Sequence, residues 1–306
     1  MKKLLFIFNP HAGKGAIRGH LPGVLDTFTK AGYLVTAYPT QSKADATRAA
    51  AELGGQFDRV VCCGGDGTLS ETIAGLLILD PRPVLGYLPA GTTNDFARNL
   101  NLPKALKEAA RTAVTGPVRK CDVGLFNQKA FIYVAAFGAF TDVSYDTPQE
   151  FKNAFGHLAY VLEGVTRLGS IQSYQLEITH DQGTLSGEFI YGMVSNTVSV
   201  GGFKGLPASE VKLDDGLFEV VLVKRPKTLP ELQSIITTLL QQKATDGGAV
   251  VSFHTARLRV ACQEALPWTL DGEFGGDPQI ADIENDRQAI DLVWGEQETA
   301  AIAEKA

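Results

Sequence analysis

Gly64-Gly65-Asp66-Gly67-Thr68 follows the apolar run Val60-Val61-Cys62-Cys63 and leads into a helix-like pattern. A strand, a glycine turn and a helix start in that order let backbone N–H groups approach a phosphate, and the helix N-terminus adds partial positive charge. A carboxylate inside such a turn calls for a cation between itself and the phosphates, so Asp66 points to nucleotide plus Mg²⁺. A tight strand-to-helix turn without ligand uses the same residues, and the run alone does not separate the two readings. Asn9-Pro10-His11-Ala12-Gly13-Lys14-Gly15 also follows a strand, and two glycines around a lysine suit close phosphate contact. It is not a Walker A loop, because the spacing fails and no Ser or Thr follows Lys14; a plain loop fits it equally. Pro89-Ala90-Gly91-Thr92-Thr93-Asn94-Asp95 supplies hydroxyl and amide groups, and Thr92 or Thr93 could instead simply cap the next helix.

A second set of acids lies far along the chain. Asp271 and Glu273 flank Gly272 at a strand end. Deprotonating an attacking alcohol needs a carboxylate within about 3 Å, and this pair could supply one. A solvated turn is the bland alternative. Asp214-Asp215-Gly216 reads either as a cation site or as a hairpin turn, since Asp-Gly is a common turn pair.

The elements that must position these residues fall into two halves. Leu4–Phe8, Tyr33–Tyr38, 59–63 and 83–88 read as strands, alternating with helices over 16–31, from Ser42 (with Asp45 three residues on), 68–79 and 92–100. This rhythm predicts a doubly wound, mostly parallel sheet with helices on both faces and ligands beyond the carboxyl ends of the strands. Asn9-Pro10, Thr40, Gly64 and Pro89 all fall at those ends. After about residue 120 the segments 119–126, 129–138, 174–180, 185–195, 216–224, 250–262, 266–271 and 287–294 read as strands joined by short turns, predicting an antiparallel β-sandwich. Helices are expected at 149–168 and 228–243, with a short one in the tail. The expected domains are an α/β nucleotide-binding domain over 1–120 and a β-rich substrate domain over 121–294, with residues 295–306 packing back on the first.

With 306 residues the chain can bury a large core. No apolar run reaches the roughly 20 residues that span a bilayer. Cys62, Cys63, Cys121 and Cys262 show no Cys-x-x-Cys spacing and read as free thiols of a reducing cytosol. A net charge of −6 argues against nucleic acid as a partner. It leaves room for a local basic face, and Lys224-Arg225-Pro226-Lys227 is the densest basic cluster.

The three glycine-bearing segments, in this order, resemble the diacylglycerol kinase catalytic-domain family in its bacterial soluble lipid kinase branch. Lys212-Leu213-Asp214-Asp215-Gly216-Leu217 resembles that branch's Mg²⁺-binding segment, and Leu270-Asp271-Gly272-Glu273 its catalytic Asp-Gly-Glu motif. The resemblance spans nearly the whole chain. It implies that Asn9, Pro10, Gly13, Lys14, Thr40, Gly64, Gly65, Asp66, Gly67, Thr68, Leu69, Ser70, Gly91, Thr92 and Asn94 hold ATP. It implies catalytic roles for Asp66, Asp271 and Glu273, the last two taking the proton from a lipid hydroxyl, without ranking them. It places a structural Mg²⁺ on Asp215 and the carbonyls of Lys212 and Leu217, linked to Asp66 through waters and Asp122. The implied activity is ATP- and Mg²⁺-dependent phosphorylation of a lipid, foremost diacylglycerol, by a cytoplasmic protein that associates transiently with the membrane surface. A homodimer is compatible with it. Two rivals stand beside this expectation. NAD kinases and phosphofructokinases share the Gly64–Thr68 turn, although Gly86-Tyr87-Leu88-Pro89-Ala90-Gly91-Thr92-Thr93-Asn94-Asp95 resembles the lipid-kinase form of its loop. A nucleotide- and lipid-binding regulator without turnover is the other.

Overall fold

The computed structural model describes residues 1–92, 94–138, 171–196, 212–241 and 248–295. The helix expected over 149–168, the tail and Thr93 lie outside them. The chain divides into two compact units, Met1–Arg119 with the segment from Asp291 onward, and Lys120–Ile290.

In the first unit, β1 (Lys2–Phe8), β2 (Tyr33–Pro39), β3 (Arg59–Gly64) and β4 (Val84–Pro89) form a parallel sheet in the order β4-β3-β1-β2. Its strands are near-continuous apolar runs because both faces are covered: Leu4 to Ile7 and Val60 to Cys63 have no exposed surface. Leu4, Phe6, Val61, Cys63 and Leu88 pack with α1 (Ala12–Lys30) and α5 (Leu106–Thr115). On the other side, α2 (Asp45–Leu53) and α3 (Asp66–Leu76) pack on each other and reach β1 and β3. The sequence reading passes over α5, although Leu106, Ala109, Ala110 and Ala113 recur at helical spacing and are buried. The helix expected at 92–100 shortens to α4 (Asp95–Asn99). Leu292 pairs in parallel with Leu85 of β4, so the chain end returns to this sheet.

In the second unit the strands are antiparallel and switch sheets. The long β9 (Gly183–Ser195) pairs over its first half with β8 (Tyr174–His180) and over its second half with β7 (Val134–Gly138) and β10 (Phe218–Lys224). One sheet runs from β14 (Glu273–Gly276) through β13 (Trp268–Leu270), β7, β9 and β10 to β11 (Val250–Thr255). The other runs from β9 through β8, β12 (Arg257–Cys262) and β15 (Ile280–Val293) to β5 (Val118–Phe126) and β6 (Lys129–Phe131). One core joins them: Trp268 packs against Phe126 and Phe137 with ring centroids 5.0 and 4.9 Å apart. This is the sandwich the alternating patterns predict. Helix α6 (Leu229–Gln241) follows β10. Two expected strands are broken. Residues 129–138 split into β6 and β7, and 250–262 into β11 and β12 around Ala256. At both breaks a remote aspartate takes the N–H groups: Asp271 at the first, and Asp181, which accepts from Ala256 N at 2.7 Å, at the second.

Candidate active site

Strand order β2-β1-β3-β4 reverses direction between β1 and β3, and the loops leaving these two strands diverge there. That reversal is where open parallel sheets take ligands, and the predicted glycine segments meet at it. Asn9 N donates to Cys63 O at 2.8 Å, and Asn9 Oδ1 accepts from His11 N at 2.9 Å. Gly13, Lys14 and Gly15 are all left-handed, with φ of 53, 62 and 76°, so regular helix starts only after Gly15. A Cβ at Gly13 would lie 2.0 Å from Ala90 O, and one at Gly91 would lie 2.6 Å from Gly65 Cα. Neither position admits a side chain without moving backbone. The 9–15, 64–68 and 89–94 segments are thus in direct contact. Gly64 O accepts from Ala90 N at 2.8 Å and Gly91 N at 3.2 Å. Asn94 closes its own loop with two 2.8 Å bonds to Gly91, one accepted and one donated, and caps no helix. Thr92 is exposed and caps nothing either. The 13–16 and 89–94 segments wall a 390 Å³ cavity with Arg98 and Lys104 at its rim, within the size range of small-molecule sites.

Asp66 is the first residue of α3, and its Oδ1 is shut off from solvent. Pro10, Gly67, Thr68, Leu69 and Ser70 complete the predicted set, with Leu69 buried beneath the turn. Tyr87, which the sequence reading did not single out, stands under it. Its hydroxyl lies 3.2 Å from Gly64 O and 3.3 Å from Asn94 Oδ1, and shares a hydrogen bond with Asp66. Burial pushes this hydroxyl well above the ordinary tyrosine range, and the Asp66 charge adds to the shift. Tyr87 therefore stays a donor at working pH. Among the described residues, no cluster of three or more His, Cys, Asp or Glu side chains could cage a metal. One carboxylate beside a phosphate-sized turn fits Mg²⁺, which keeps its waters and takes phosphate oxygens as ligands.

Thr40 sits at the end of β2, its N–H bonded to Phe8 O at 2.9 Å. Its loop is held by Asp45. The expected Ser42 cap is absent: the residue before α2 is Ala44, without a side-chain cap. Asp45 instead turns back to accept Gln41 N at 2.8 Å and pairs with Arg48 and Tyr38. The Gln41 N–H foremost, then Arg48 and Tyr38, hold its carboxyl below the usual range against the opposing effect of burial. A depressed folded-state pKa gives stability that is present above the unfolded value and lost as pH falls through the folded one. Asp45→Asn should cost about 2–4 kcal/mol at pH 7. Its deficit against wild type in urea melts should shrink below about pH 4; a pH-independent deficit would remove this ionic account.

In the second unit, Asp271 and Gly272 are both left-handed, with φ of 49 and 88°, forming the type I′ turn that Asp-Gly favours between β13 and β14. Asp271 Oδ2 accepts from Ile132 N at 2.8 Å, and Oδ1 from Tyr133 N at 3.0 Å and Val134 N at 3.1 Å. Asp271 N donates to Val134 O at 2.8 Å, and Tyr133 Oη to Asp271 O at 3.2 Å. The Asp271 side chain is thereby fixed to backbone. Glu273 is exposed on the strand that follows.

Asn196, another residue absent from the sequence reading, joins this turn to the other acids. Its N–H donates to Tyr133 O and its Nδ2 to Asp122 O, both at 3.0 Å. The Asp122 carboxylate accepts Gly216 N at 2.6 Å and Gln288 N at 2.7 Å, which anchors the 212–217 segment. Asp215 Oδ1 accepts Leu217 N at 3.0 Å. Burial raises Asp122, its two N–H bonds oppose, and the charges of Asp215 and Asp214 raise it further. Burial likewise pushes Glu219 up to about 8, with Asp215 adding. These acids feel one another's charge without converging on a common point, since the described residues hold no cluster of three or more such side chains. A larger groove of 840 Å³ in this unit contains none of the predicted site residues. Its arginines pair with its own acids, Arg257 with Glu284 at 3.2 Å and Arg259 with Asp282 at 3.0 Å.

An acid in a glycine turn at the reversal point of a parallel sheet, followed by a β-sandwich with its own carboxylate turn, places the chain among the phosphotransferases. Within that class it belongs to the diacylglycerol kinase catalytic-domain family. The family's "Diacylglycerol kinase catalytic domain" model matches residues 3–126. A diacylglycerol kinase of Bacillus subtilis (strain 168) is 38% identical over 278 residues, covering 90% of this chain and 91% of that protein. One of Staphylococcus saprophyticus is 35% identical over 276 residues, 90% of each. The crystal structure of a diacylglycerol kinase from Bacillus anthracis str. Sterne shares the fold with a TM-score of 0.73 at 24% identity, covering 96% of this chain and 97% of that one. A further structure from that organism reaches a TM-score of 0.80 at 25% identity, covering 96% and 95%.

Proposed function

We propose that this enzyme transfers the γ-phosphoryl group of ATP to the free hydroxyl of diacylglycerol at a membrane surface, forming phosphatidate. The observation that carries the reading is the contact of three glycine segments around Asp66, in a chain whose curated relatives bear the name diacylglycerol kinase. Residues 1–120 take the nucleotide and 121–294 the lipid. The Asn9–Lys14 loop and the backbone N–H groups at the Gly65–Thr68 start of α3, with Gly64, Leu69, Ser70, Thr40, Gly91, Thr92 and Asn94, surround the phosphates. Asp66 holds the Mg²⁺ that accompanies ATP, and Tyr87 fixes the orientation of Asp66. What a bound Mg²⁺ supplies is neutralisation of the charge spread over the transferring phosphate oxygens. Asp215, with the Lys212 and Leu217 carbonyls, holds a second, structural ion, and Asp122 and Asn196 set that segment against the Asp271 turn.

Glu273 takes the proton from the lipid hydroxyl as it attacks. Asp271 is the less suitable base, because a carboxylate bonded to three backbone N–H groups cannot swing toward a substrate. Its part is to hold the turn that presents Glu273. Among the described residues no helix is long and apolar enough to cross a membrane, which fits action from the bilayer surface. Incubation with ATP, Mg²⁺ and extracted lipids, with products resolved by mass, tests the acceptor. Phosphatidate should accumulate; phosphorylation of NAD⁺ or of a different lipid instead would replace diacylglycerol, and no product at all would favour a binding regulator.

A further inference from the structure

Tyr87 lies on β4 with no exposed surface. Its neighbour Leu88 packs with α1 and α5, so by strand alternation Tyr87 faces the other side of the sheet, where α3 begins at Asp66. A buried tyrosine hydroxyl needs one acceptor. Tyr87 has three within reach, drawn from two separate segments. Gly64 O at 3.2 Å and the Asp66 side chain belong to the glycine turn, and Asn94 Oδ1 at 3.3 Å belongs to the loop after β4. Filling the core does not require such a meeting point.

A phenol has one proton to donate. Gly64 O already accepts from Ala90 N at 2.8 Å and Gly91 N at 3.2 Å, and Asn94 Oδ1 accepts from Gly91 N at 2.8 Å. Neutral oxygens already served compete poorly with a carboxylate, because hydrogen bonds to charged groups are about twice as strong. The proton therefore goes chiefly to Asp66, while the hydroxyl stays in contact with Asn94. Asn94 holds Gly91 through both ends of its amide, each bond 2.8 Å long. A continuous path of contacts thus runs from Asp66 through Tyr87 and Asn94 to Gly91, all inside the first unit.

The two ends of that path have different partners in the reaction proposed above. Asp66 meets the cation, and Gly91 with Asn94 meets the phosphates. A residue hydrogen-bonded behind a metal-binding carboxylate fixes its orientation, and losing it costs about 10- to 100-fold in metal affinity or activity. We propose that Tyr87 is a positioning residue that yokes Asp66 to the Gly91–Asn94 loop, so that cation and nucleotide each strengthen the binding of the other. This rests on the nucleotide and cation part of the reading above and is independent of which lipid is phosphorylated. Such strengthening is reciprocal, the same factor applying to both ligands. Without the hydroxyl each end keeps its local fold, since the loop retains its own two bonds to Gly91 and Asp66 its place at the start of α3. What disappears is the link between them.

The test measures ADP binding by equilibrium dialysis with and without Mn²⁺, in wild type, Tyr87→Phe, Asn94→Ala and the double variant. The ratio of the two affinities is the readout. Tyr87→Phe removes one oxygen and leaves the ring that fills the core, so the protein stays folded, which melting curves check. Its ADP affinity without Mn²⁺ should stay within about twofold of wild type, while the ratio falls about tenfold. Asn94→Ala should lower the ratio in the wild-type background and lower it little further beside Tyr87→Phe, because residues acting through one contact are not additive. A lower melting temperature with an unchanged ratio would overturn the proposal and leave Tyr87 a packing residue. Independent, additive falls in the two single variants would overturn it as well. A wild type that binds no ADP, or binds it no better with Mn²⁺, would instead refute the nucleotide and cation reading itself.

Discussion

Replacing Asp66 with alanine is expected to lower phosphoryl transfer by at least about a thousandfold while leaving the protein folded. Phosphoryl transfer depends on positioning and charge neutralisation more than on covalent chemistry. Losing the one side chain that places the cation removes several kcal/mol of transition-state stabilisation, and each 1.36 kcal/mol is tenfold in rate. The structural cost is small by comparison: an acid in the first turn of a helix contributes about 0.3–1 kcal/mol through the helix dipole, and the hydrogen bond shared with Tyr87, whose hydroxyl keeps Gly64 O as acceptor, about 1 kcal/mol more. Circular dichroism melts should thus stay close to wild type while turnover disappears. Asp66→Asn should fail nearly as badly, since the amide keeps the shape but not the charge. Retained turnover in either variant would break the metal assignment.

The second large effect separates the two acids of the carboxylate turn. Glu273→Gln should reduce kcat by about 100- to 10,000-fold, the usual range for loss of a general base, with a stability change of at most about 1 kcal/mol because Glu273 is exposed and surface ionic contacts contribute little. Asp271→Asn should lose both activity and stability. An amide in that cradle must set its NH₂ against at least one of the N–H donors of Ile132, Tyr133 and Val134. Forfeiting charge-assisted bonds of this kind costs about 2–4 kcal/mol. A Glu273→Gln enzyme of near-normal rate, beside an Asp271→Asn enzyme that melts normally but is inactive, would exchange the two roles.

The alternation of strand and helix and the glycine turns were legible because each is written within a few adjacent residues. The Asp-Gly hairpin, in contrast, forms at Asp271-Gly272, expected only as a bend at a strand end, and not at Asp215-Gly216, where a hairpin turn was one of the two readings. Gly13 and Gly91 stood out as phosphate-loop glycines, and the structure adds that they let three loops touch. What the sequence hid is long-range. Asn196 bonds to Asp122 across 74 positions, Gly216 to Asp122 across 94, and Gln288 to Asp122 across 166. No local pattern announces such pairs. Tyr87 looked like an ordinary strand residue, since its importance comes from what lies above its hydroxyl. Where local rules failed, a competing partner won. Ser42 was the expected cap, but Asp45 had Gln41, Arg48 and Tyr38 within reach. Residues 129–138 have the pattern of one strand, but Asp271, 138 positions from Tyr133, takes their ladder N–H groups.

The most direct measurement follows the phosphoryl group itself. With ATP radiolabelled in its γ-phosphate and diacylglycerol vesicles, label should enter the chloroform-soluble fraction as phosphatidate, only with Mg²⁺ present, and not with Asp66→Ala. Label that stays in the aqueous phase, at a rate indifferent to diacylglycerol and to residue 66, would contradict the account.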